Sequence, residues 1–310
     1  LGEFFYVSNW NHKNILITGC DSGFGRKTAV KCVKEGLTVF AGCYSERGMD
    51  ELRKTCFGSR NLHAILLDIS NDASIEAAHQ KVKEILGKTE KLWALINNAA
   101  IERVNGPDPW LSLEHYRQHM EVNCFGTIKM VKQFLPLLMK SQGRVIIVTS
   151  IKGRLVFPEC GPYTVSKWAT EAYGDLLRRE LDPFRVSVHL IEPGGFQTAL
   201  VVGLSDNVEN IWKDLPEEVK MKYGKEFLKD RLRSLKHEET DSLVEDCSPV
   251  VKAYMEAALS RFPRYRYIVG WDALLEYLPV SCLSEYLQDL WVRKRLLKDK
   301  IHPAATTEIN

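Results

Sequence analysis

No run of about eighteen apolar residues occurs in this chain of 310 residues, so nothing in it reads as an obvious membrane-spanning helix. Nor is there an excess of one charge. The 42 basic and 40 acidic side chains leave a net +2, which excludes a general affinity for polyanions. No basic stripe with interleaved aromatics supports nucleic-acid recognition. The eight cysteines (20, 32, 43, 56, 124, 160, 247 and 282) lack paired metal spacing, and no metal is expected. Several of them fall inside apolar runs, which reads as buried thiols in a reducing compartment instead of disulfides. No Gly-Lys-Ser/Thr ending follows the glycine-rich turn near residue 20, which argues against ATP or GTP hydrolysis. Ser150 lies outside a G-x-S-x-G elbow, which argues against serine esterase chemistry. Linkers and internal repeats are also missing, beyond an alternation of strands and helices.

What is present is a globular composition, 45% hydrophobic and 26% charged, arranged in a βα rhythm. Seven short apolar runs read as strands, at residues 14–18, 37–42, 62–67, 92–96, 144–149, 186–191 and 265–269. Helices are expected at about 25–35, 74–86, 112–140 and from Tyr163 to about 181. Continuous apolar strands separated by long helices indicate a parallel sheet covered on both faces. Right-handed crossovers then give an α/β fold with an open, doubly wound, seven-stranded sheet. After Pro193 the rhythm changes. Residues 195–245 read as helical, rich in Lys and Glu, and 271–290 as apolar and aromatic. The economical reading is one domain, 1–310, with 195–245 as a substrate lid and 271–300 as a C-terminal apolar extension expected to cover the sheet.

Ligands of such sheets sit beyond the carboxyl ends of the strands. Thr18-Gly19-Cys20-Asp21-Ser22-Gly23-Phe24-Gly25 follows the first strand there, as a G-x3-G-x-G turn opening a helix. Its glycines let the backbone approach a pyrophosphate, and the helix N-terminus supplies amide donors and a favourable dipole. Asp68, with Ile69, is placed to meet an adenine, a reading favoured over a plain helix cap before Ser70. Asn97, Asn98 and Ala99 follow the fourth strand, where compact side chains let a flat cofactor lie against the backbone. Cofactor choice depends on the end of strand two, where Cys43, Tyr44 and Ser45 satisfy neither the acidic nor the basic rule. Without a basic residue at the strand end, NAD is favoured over NADP.

Tyr163 and Lys167 are four residues apart and share one helix face. The phenol serves as general acid/base if its pKa is brought down from about 10. An ammonium one turn away and the charge of a bound nicotinamide both favour the phenolate. Ser150, thirteen residues before Tyr163, can donate to an oxygen on which negative charge develops. Asn123 can hold a water or backbone group that relays protons through Lys167, and Lys167 can anchor the nicotinamide ribose.

These residues resemble the short-chain dehydrogenase/reductase family. The TGxxxGxG turn is Thr18–Gly25 and the quartet is Asn123, Ser150, Tyr163 and Lys167; Asn97-Asn98-Ala99-Ala100 departs from the family's NNAG at its last position. Pro193-Gly194-Gly195-Phe196-Gln197-Thr198 is similar to the segment that closes over the cofactor, with Thr198 near the carboxamide. Gly106–Trp110, Gly153-Arg154-Leu155, Leu177–Leu181, Glu192-Pro193-Gly194 and Tyr267–Ala273 resemble the retinol and hydroxysteroid dehydrogenase branch. The resemblance implies a Rossmann-type fold and hydride transfer between a nicotinamide cofactor and a hydrophobic alcohol or carbonyl compound such as a retinoid or hydroxysteroid. It also implies association with the endoplasmic reticulum membrane through a segment before Leu1, or a cytosolic protein if none precedes it. Ser150, Leu155, Phe157, Tyr163 and Leu200 are the expected substrate contacts. A peripheral membrane contact and a homodimer are compatible with the apolar C-terminal run. The alternative is a catalytically weak, nucleotide-dependent lipid binder or sensor, against which the intact quartet argues.

Overall fold

The computed structural model describes residues 6–240, 243–295 and 301–306. Strand β1 (Asn14–Thr18) leads into α1 (Gly23–Lys34), then β2 (Thr38–Cys43), α2 (Glu46–Thr55), β3 (Leu62–Leu66), α3 (Asp72–Leu86) and β4 (Ala94–Asn97). The second half continues with α4 (Leu113–His119), a π-helical stretch Met120–Gly126, α5 (Thr127–Ser141), β5 (Arg144–Val148), α6 (Gly161–Glu180) and β6 (Ser187–Pro193). Helices α7 (Leu204–Asp214), α8 (Glu217–Tyr223), α9 (Lys225–Thr240) and α10 (Ser248–Leu259) precede β7 (Arg266–Val269). The C-terminal part holds a second π-helical stretch Ala273–Tyr277, α11 (Leu278–Ser281) and α12 (Glu285–Arg295). Local chemistry sets several helix starts: Ser45 accepts from Gly48 N, and Asn71 from Ser74 N, each supplying an N-cap.

All seven strands run parallel in the order β3-β2-β1-β4-β5-β6-β7. The order reverses between β1 and β4, which opens a crevice at the carboxyl ends of those strands. The period of two along each strand divides the core into two layers. Ile15, Ile17, Val39, Ala41 and Ile96 face one layer, covered by α1, α2 and α10. Leu16, Phe40, Leu95, Val145 and Ile147 face the other, covered by α3, α5 and α6. Each such Leu or Ile, fully buried, contributes about 1.5–3 kcal/mol before entropic costs. A smaller third cluster of Trp110, Leu204, Val208, Trp212 and Leu235 holds α7 and α9 as a unit beside the sheet.

The expected strands lie within two residues of the observed ones, but α2 and α10 are not foreseen. Helix α10 buries most of its circumference (Val250, Ala253–Met255, Ala257–Leu259), and its polar face is only the narrow strip of Lys252 and Glu256, which marks a helical period weakly. Helix α2 buries only Gly48 and Leu52, with Met49 partly buried beside them, and is charged at most other positions, which hides its short apolar stripe. The expected helix 112–140 is α4 and α5 joined through the π-helical stretch that carries Asn123. The C-terminal run does not cover the sheet as expected: Trp271 and Tyr286 are each 77% exposed, and Leu275 is exposed too. Seven of the eight free cysteines are buried, with Cys282 exposed. Among the described residues no helix is long and apolar enough to cross a membrane.

His189 lies fully buried on β6, with Nδ1 2.7 Å from Arg264 O and Nε2 2.9 Å from Ser187 Oγ. Burial pulls its pKa down to about 4 from 6.5, against the pull of the Arg264 carbonyl, and Arg144 adds to the lowering. Between those two values the unfolded chain binds a proton that the folded one refuses, so stability falls as pH drops through this window. Urea denaturation of H189N should show a shallower loss of stability across that window than the wild type; equal slopes would remove His189 from the acid response.

Candidate active site

The crevice between β1 and β4 opens into a cavity of about 2110 Å³ that runs along the carboxyl ends of the central strands. Its floor begins at the turn after β1. Gly19 has φ +70°, and a Cβ there would lie 2.8 Å from Ala99 Cα, so only glycine fits. A Cβ on Gly25 would meet Gly19 O at 2.3 Å and Asn98 Nδ2 at 2.6 Å. Gly25 therefore serves the packing of α1 against the strand ends and does not line the cavity. Thr18 also stands behind the wall, its Oγ1 accepting Asn98 N at 3.0 Å and Ala99 N at 2.9 Å. Asn98 donates back to Thr18 O at 2.8 Å and accepts from Tyr254 Oη at 2.8 Å, which locks the two loops together.

Gly19, Asp21, Ser22, Gly23, Phe24, Tyr44, Asp68 and Ile69 line one end of the cavity. Asn98, Ala99, Tyr163, Lys167, Pro193, Gly194, Phe196 and Thr198 line its middle. Cys43 and Asn97, also expected here, are buried within strands β2 and β4 with their side chains away from the opening. The carboxylate of Asp21 accepts from Tyr44 N at 2.7 Å and from Ser45 N at 2.9 Å, and so fixes the end of β2. Asp68 Oδ1 accepts Ser70 N at 2.9 Å and Ser70 Oγ at 2.7 Å in a turn before α3, whose cap is Asn71 and not Asp68, and Asp68 still faces the cavity. On the far side, Asp272 Oδ2 takes Gly195 N at 2.7 Å and anchors the segment after β6. These residues fit a dinucleotide. The Ser22 side chain makes no capping bond, so the first-turn amides and dipole of α1 face the cavity free to meet a pyrophosphate.

The side chains expected to react lie beyond the end of β5 and on the first turns of α6. Tyr163 is 5% exposed, Lys167 2% and Ser150 7%, and all three line the cavity. Ser150 accepts Lys152 N at 3.2 Å, and its hydroxyl, near Tyr163, favours the phenolate. Lys167 Nζ donates to Val148 O at 2.9 Å and stands 5.5 Å from the centre of the Tyr163 ring. Asn123 does not reach the cavity. Its Nδ2 donates to Ile101 O and Ser166 Oγ, both at 2.9 Å, and its Oδ1 accepts Ile101 N at 2.8 Å. It ties the loop after β4 to the helix bearing Tyr163, and it does so with backbone and hydroxyl groups.

Burial pushes the Tyr163 phenol above its ordinary range; Glu102 adds to the rise, while Lys152 and Ser150 oppose it. The expectation that Lys167 holds this phenol low therefore does not describe the protein alone, because desolvation outweighs the neighbouring cations. Lys167 is itself lowered to about 8 by burial, partly offset by Glu102 and Glu171.

Helices α7 and α9 flank the other side. Leu200, Val201, Val202, Leu204 and Phe157 make an apolar wall. Leu155 is buried beneath it and takes no part, since its side chain packs into protein instead of facing the opening. These two helices are tied to the rest of the protein where Arg231 pairs with Glu159 at 2.9 Å and Asn207 donates to Arg103 O at 2.7 Å. The sequence reading also leaves out Glu102 and Lys152, which meet at 2.7 Å on the cavity wall. Their only signal is position, as charged residues in the loops directly after two apolar strands. His115 and His119 carry the spacing of a metal-ligand pair, but their rings are engaged. His115 Nδ1 accepts Ser112 N, and His119 contacts His115 O and accepts Arg103 N. Among the described residues no group of three or more His, Cys, Asp or Glu is placed to hold a metal ion.

A family model described as short chain dehydrogenase matches residues 13–209. The chain is 38% identical to 3beta-hydroxysteroid dehydrogenase dhs-16 of Caenorhabditis elegans, over 99% of this chain and 80% of that protein. It is 41% identical to retinol dehydrogenase 7 of Rattus norvegicus and 39% identical to 17-beta-hydroxysteroid dehydrogenase type 6 of Bos taurus, each over 91% of this chain and 88% of the relative. Its fold is similar to that of a short chain dehydrogenase/reductase from Burkholderia phymatum solved in complex with NAD. The TM-score is 0.70 and the identity 21%, over 92% of this chain and 96% of that one. A short chain dehydrogenase from Burkholderia cenocepacia J2315 in complex with NADP gives a TM-score of 0.66 and 22% identity, over 92% of this chain and 98% of that one.

Proposed function

This chain belongs to the short chain dehydrogenase family, whose members are nicotinamide-dependent oxidoreductases, and on that premise we propose that its substrate is a bulky hydrophobic alcohol, or the matching carbonyl compound, of retinoid or hydroxysteroid kind. The observation that carries this reading is the apolar wall of Phe157, Leu200, Val201 and Val202, which continues the cavity past Ser150 and Tyr163. Relatives named as retinol and hydroxysteroid dehydrogenases, at 38–41% identity, support the same class. Exposed Trp271, which also lines the cavity, and exposed Leu275 suit contact with a lipid surface from which such an alcohol would arrive.

In oxidation, Tyr163 takes the hydroxyl proton of the alcohol while Ser150 donates to the same oxygen, whose negative charge grows as the carbinol C–H bond breaks. In reduction the same two groups return a proton to the carbonyl oxygen. When bound, the nicotinamide supplies the two-electron chemistry, accepting or giving the hydride at that carbon. Lys167, held by Val148 O, keeps positive charge close to the Tyr163 ring. Asn123 keeps loop and helix in register, so that the substrate oxygen meets both hydroxyls.

The reading extends to the cofactor. The turn Gly19–Phe24 and the α1 N-terminus would hold the pyrophosphate, Asp68 and Ile69 the adenine, and Thr198 the carboxamide. Asp21 places a carboxylate at the ribose end, and the nearby guanidiniums of Arg26 and Arg47 are both committed to Glu51 at 2.9 Å. That balance disfavours a 2′-phosphate, so NAD is the proposed partner. Fluorescence titration should show NADH binding about tenfold tighter than NADPH, and the reverse order would overturn the choice. A cofactor-fluorescence screen of retinoids and of 3- and 17-hydroxysteroids should find turnover in at least one class. Turnover of short polar alcohols alone would overturn the substrate reading.

A further inference from the structure

We propose that the Glu102–Lys152 ion pair is a second charge control on Tyr163, in which Lys152 favours the phenolate and Glu102 restrains that effect. The inference rests on Tyr163 being the acid/base group. Lys152 Nζ lies 5.3 Å from the centre of the Tyr163 ring, as near as the 5.5 Å of Lys167 Nζ. Two lysine amines from different elements thus lie near the Tyr163 ring, Lys167 on α6 and Lys152 on the turn after β5, and Lys167, lowered to about 8, loses its charge at a lower pH than the phenol. Only Lys152 is matched by a carboxylate at 2.7 Å, from a Glu102 whose side chain is 3% exposed.

A buried ion pair is weak as a source of stability, because desolvating two charges offsets most of their attraction. Here the pair faces the cavity at the reacting phenol, where a charge at about 4–6 Å moves a neighbour's proton affinity by about one pH unit or more. The other groups facing the phenol are Ser150 after β5, Cys160 before α6, Lys167 on α6 and Tyr254 from α10. Glu171 acts one turn further on, through Lys167. Glu102 raises and Lys152 lowers the phenol's affinity in opposite senses, so the pair sets a balance that neither residue sets alone. Cys160 and Tyr163 in turn add to Glu102 in keeping Lys152 protonated against its burial.

The test is the near-ultraviolet phenolate absorbance of the cofactor-free protein, taken as the difference from Y163F in each background. In E102Q the Tyr163 phenolate should appear about one pH unit lower than in wild type, and in K152M about one unit higher; E102Q/K152M should fall between them. The holoenzyme should show the same displacements in the pH profile of kcat/KM for alcohol oxidation. Unmoved titrations, or displacements of the same sign in both single variants, overturn the proposal. So does a rate lowered equally at every pH, the signature of a merely structural pair. NADH quenching checks that each variant is folded, and if K152M does not fold, E102Q and the double variant still decide the sign. Because the absorbance needs no substrate, a wild type that oxidises none of the screened alcohols would refute the substrate reading and leave this inference to its own titration.

Discussion

Replacing Tyr163 with Phe is expected to lower kcat by about a thousandfold, within the range of about 10²–10⁴ that a positioned general acid/base supplies. The substitution removes one oxygen and leaves the ring against Lys152 and Lys167 at its present distances of 5.3 and 5.5 Å. The cavity keeps its shape, and NADH affinity should stay within about twofold of wild type, as expected when a group acts in the transition state and not in ground-state binding. Stopped-flow turnover on a substrate from the screen, with NADH fluorescence titration alongside, measures both. Turnover within about tenfold of wild type would remove Tyr163 from the proton path. Ser150→Ala should cost less, since it deletes a donor to the oxygen while the acid/base remains.

The other large effect concerns the scaffold behind the site. Arg266 on β7 pairs with Glu171 and Glu192, and reaches Asp175 at 2.7 Å; Glu192 is fully buried and is also paired with Arg154. Burial and the neighbouring Glu192 push the Glu171 carboxyl up, and Arg266 holds it back. Arg266→Met keeps an aliphatic stem but leaves two buried carboxylates short of a cation, which is expected to cost about 3 kcal/mol. That loss lowers Tm by about 5 °C in a chain of this length. The sign of the pH dependence follows from Glu171. A carboxyl raised in the folded state binds its proton more readily there than in the unfolded chain, so lowering the pH relieves the strain of the unpaired charge. The deficit of the variant relative to wild type should be smaller at about pH 5 than at about pH 8. Paired thermal melts at the two values measure it, and a deficit that does not change with pH would mean the carboxylates are not the source.

Both predictions concern groups of very different legibility. Tyr163, Lys167 and Ser150 can be found by chain order, because one helical turn separates the first two and the third ends an apolar strand. Arg266 and Glu171 lie ninety-five residues apart in the chain, and nothing local marks either as the other's partner. The same holds for Glu102 and Lys152, fifty residues apart. Asn123 is intermediate. Its place in the long helical stretch singles it out, but only the fold shows its amide spent on Ile101 and Ser166. Leu155 and Cys43 show the converse failure, since apolar residues beside a site look alike whether they face the opening or the protein behind it. Helix α10 is hidden for a related reason, as a helix buried over most of its circumference, with only Lys252 and Glu256 on its polar strip, shows little period to read.

The sequence by itself determined the strand alternation, the doubly wound sheet, the glycine turn and the spacing of Ser150, Tyr163 and Lys167, the residues proposed to handle the proton. Each depends on spacing along the chain, which a period of two or of 3.6 residues converts directly into a face or an end. Tertiary structure alone decided which charges stand around Tyr163, which apolar residues wall the cavity, and that the aromatic run after β7 lies exposed. Those outcomes depend on distances between segments remote in the chain, and at a buried site such distances govern the electrostatics more than residue identity does.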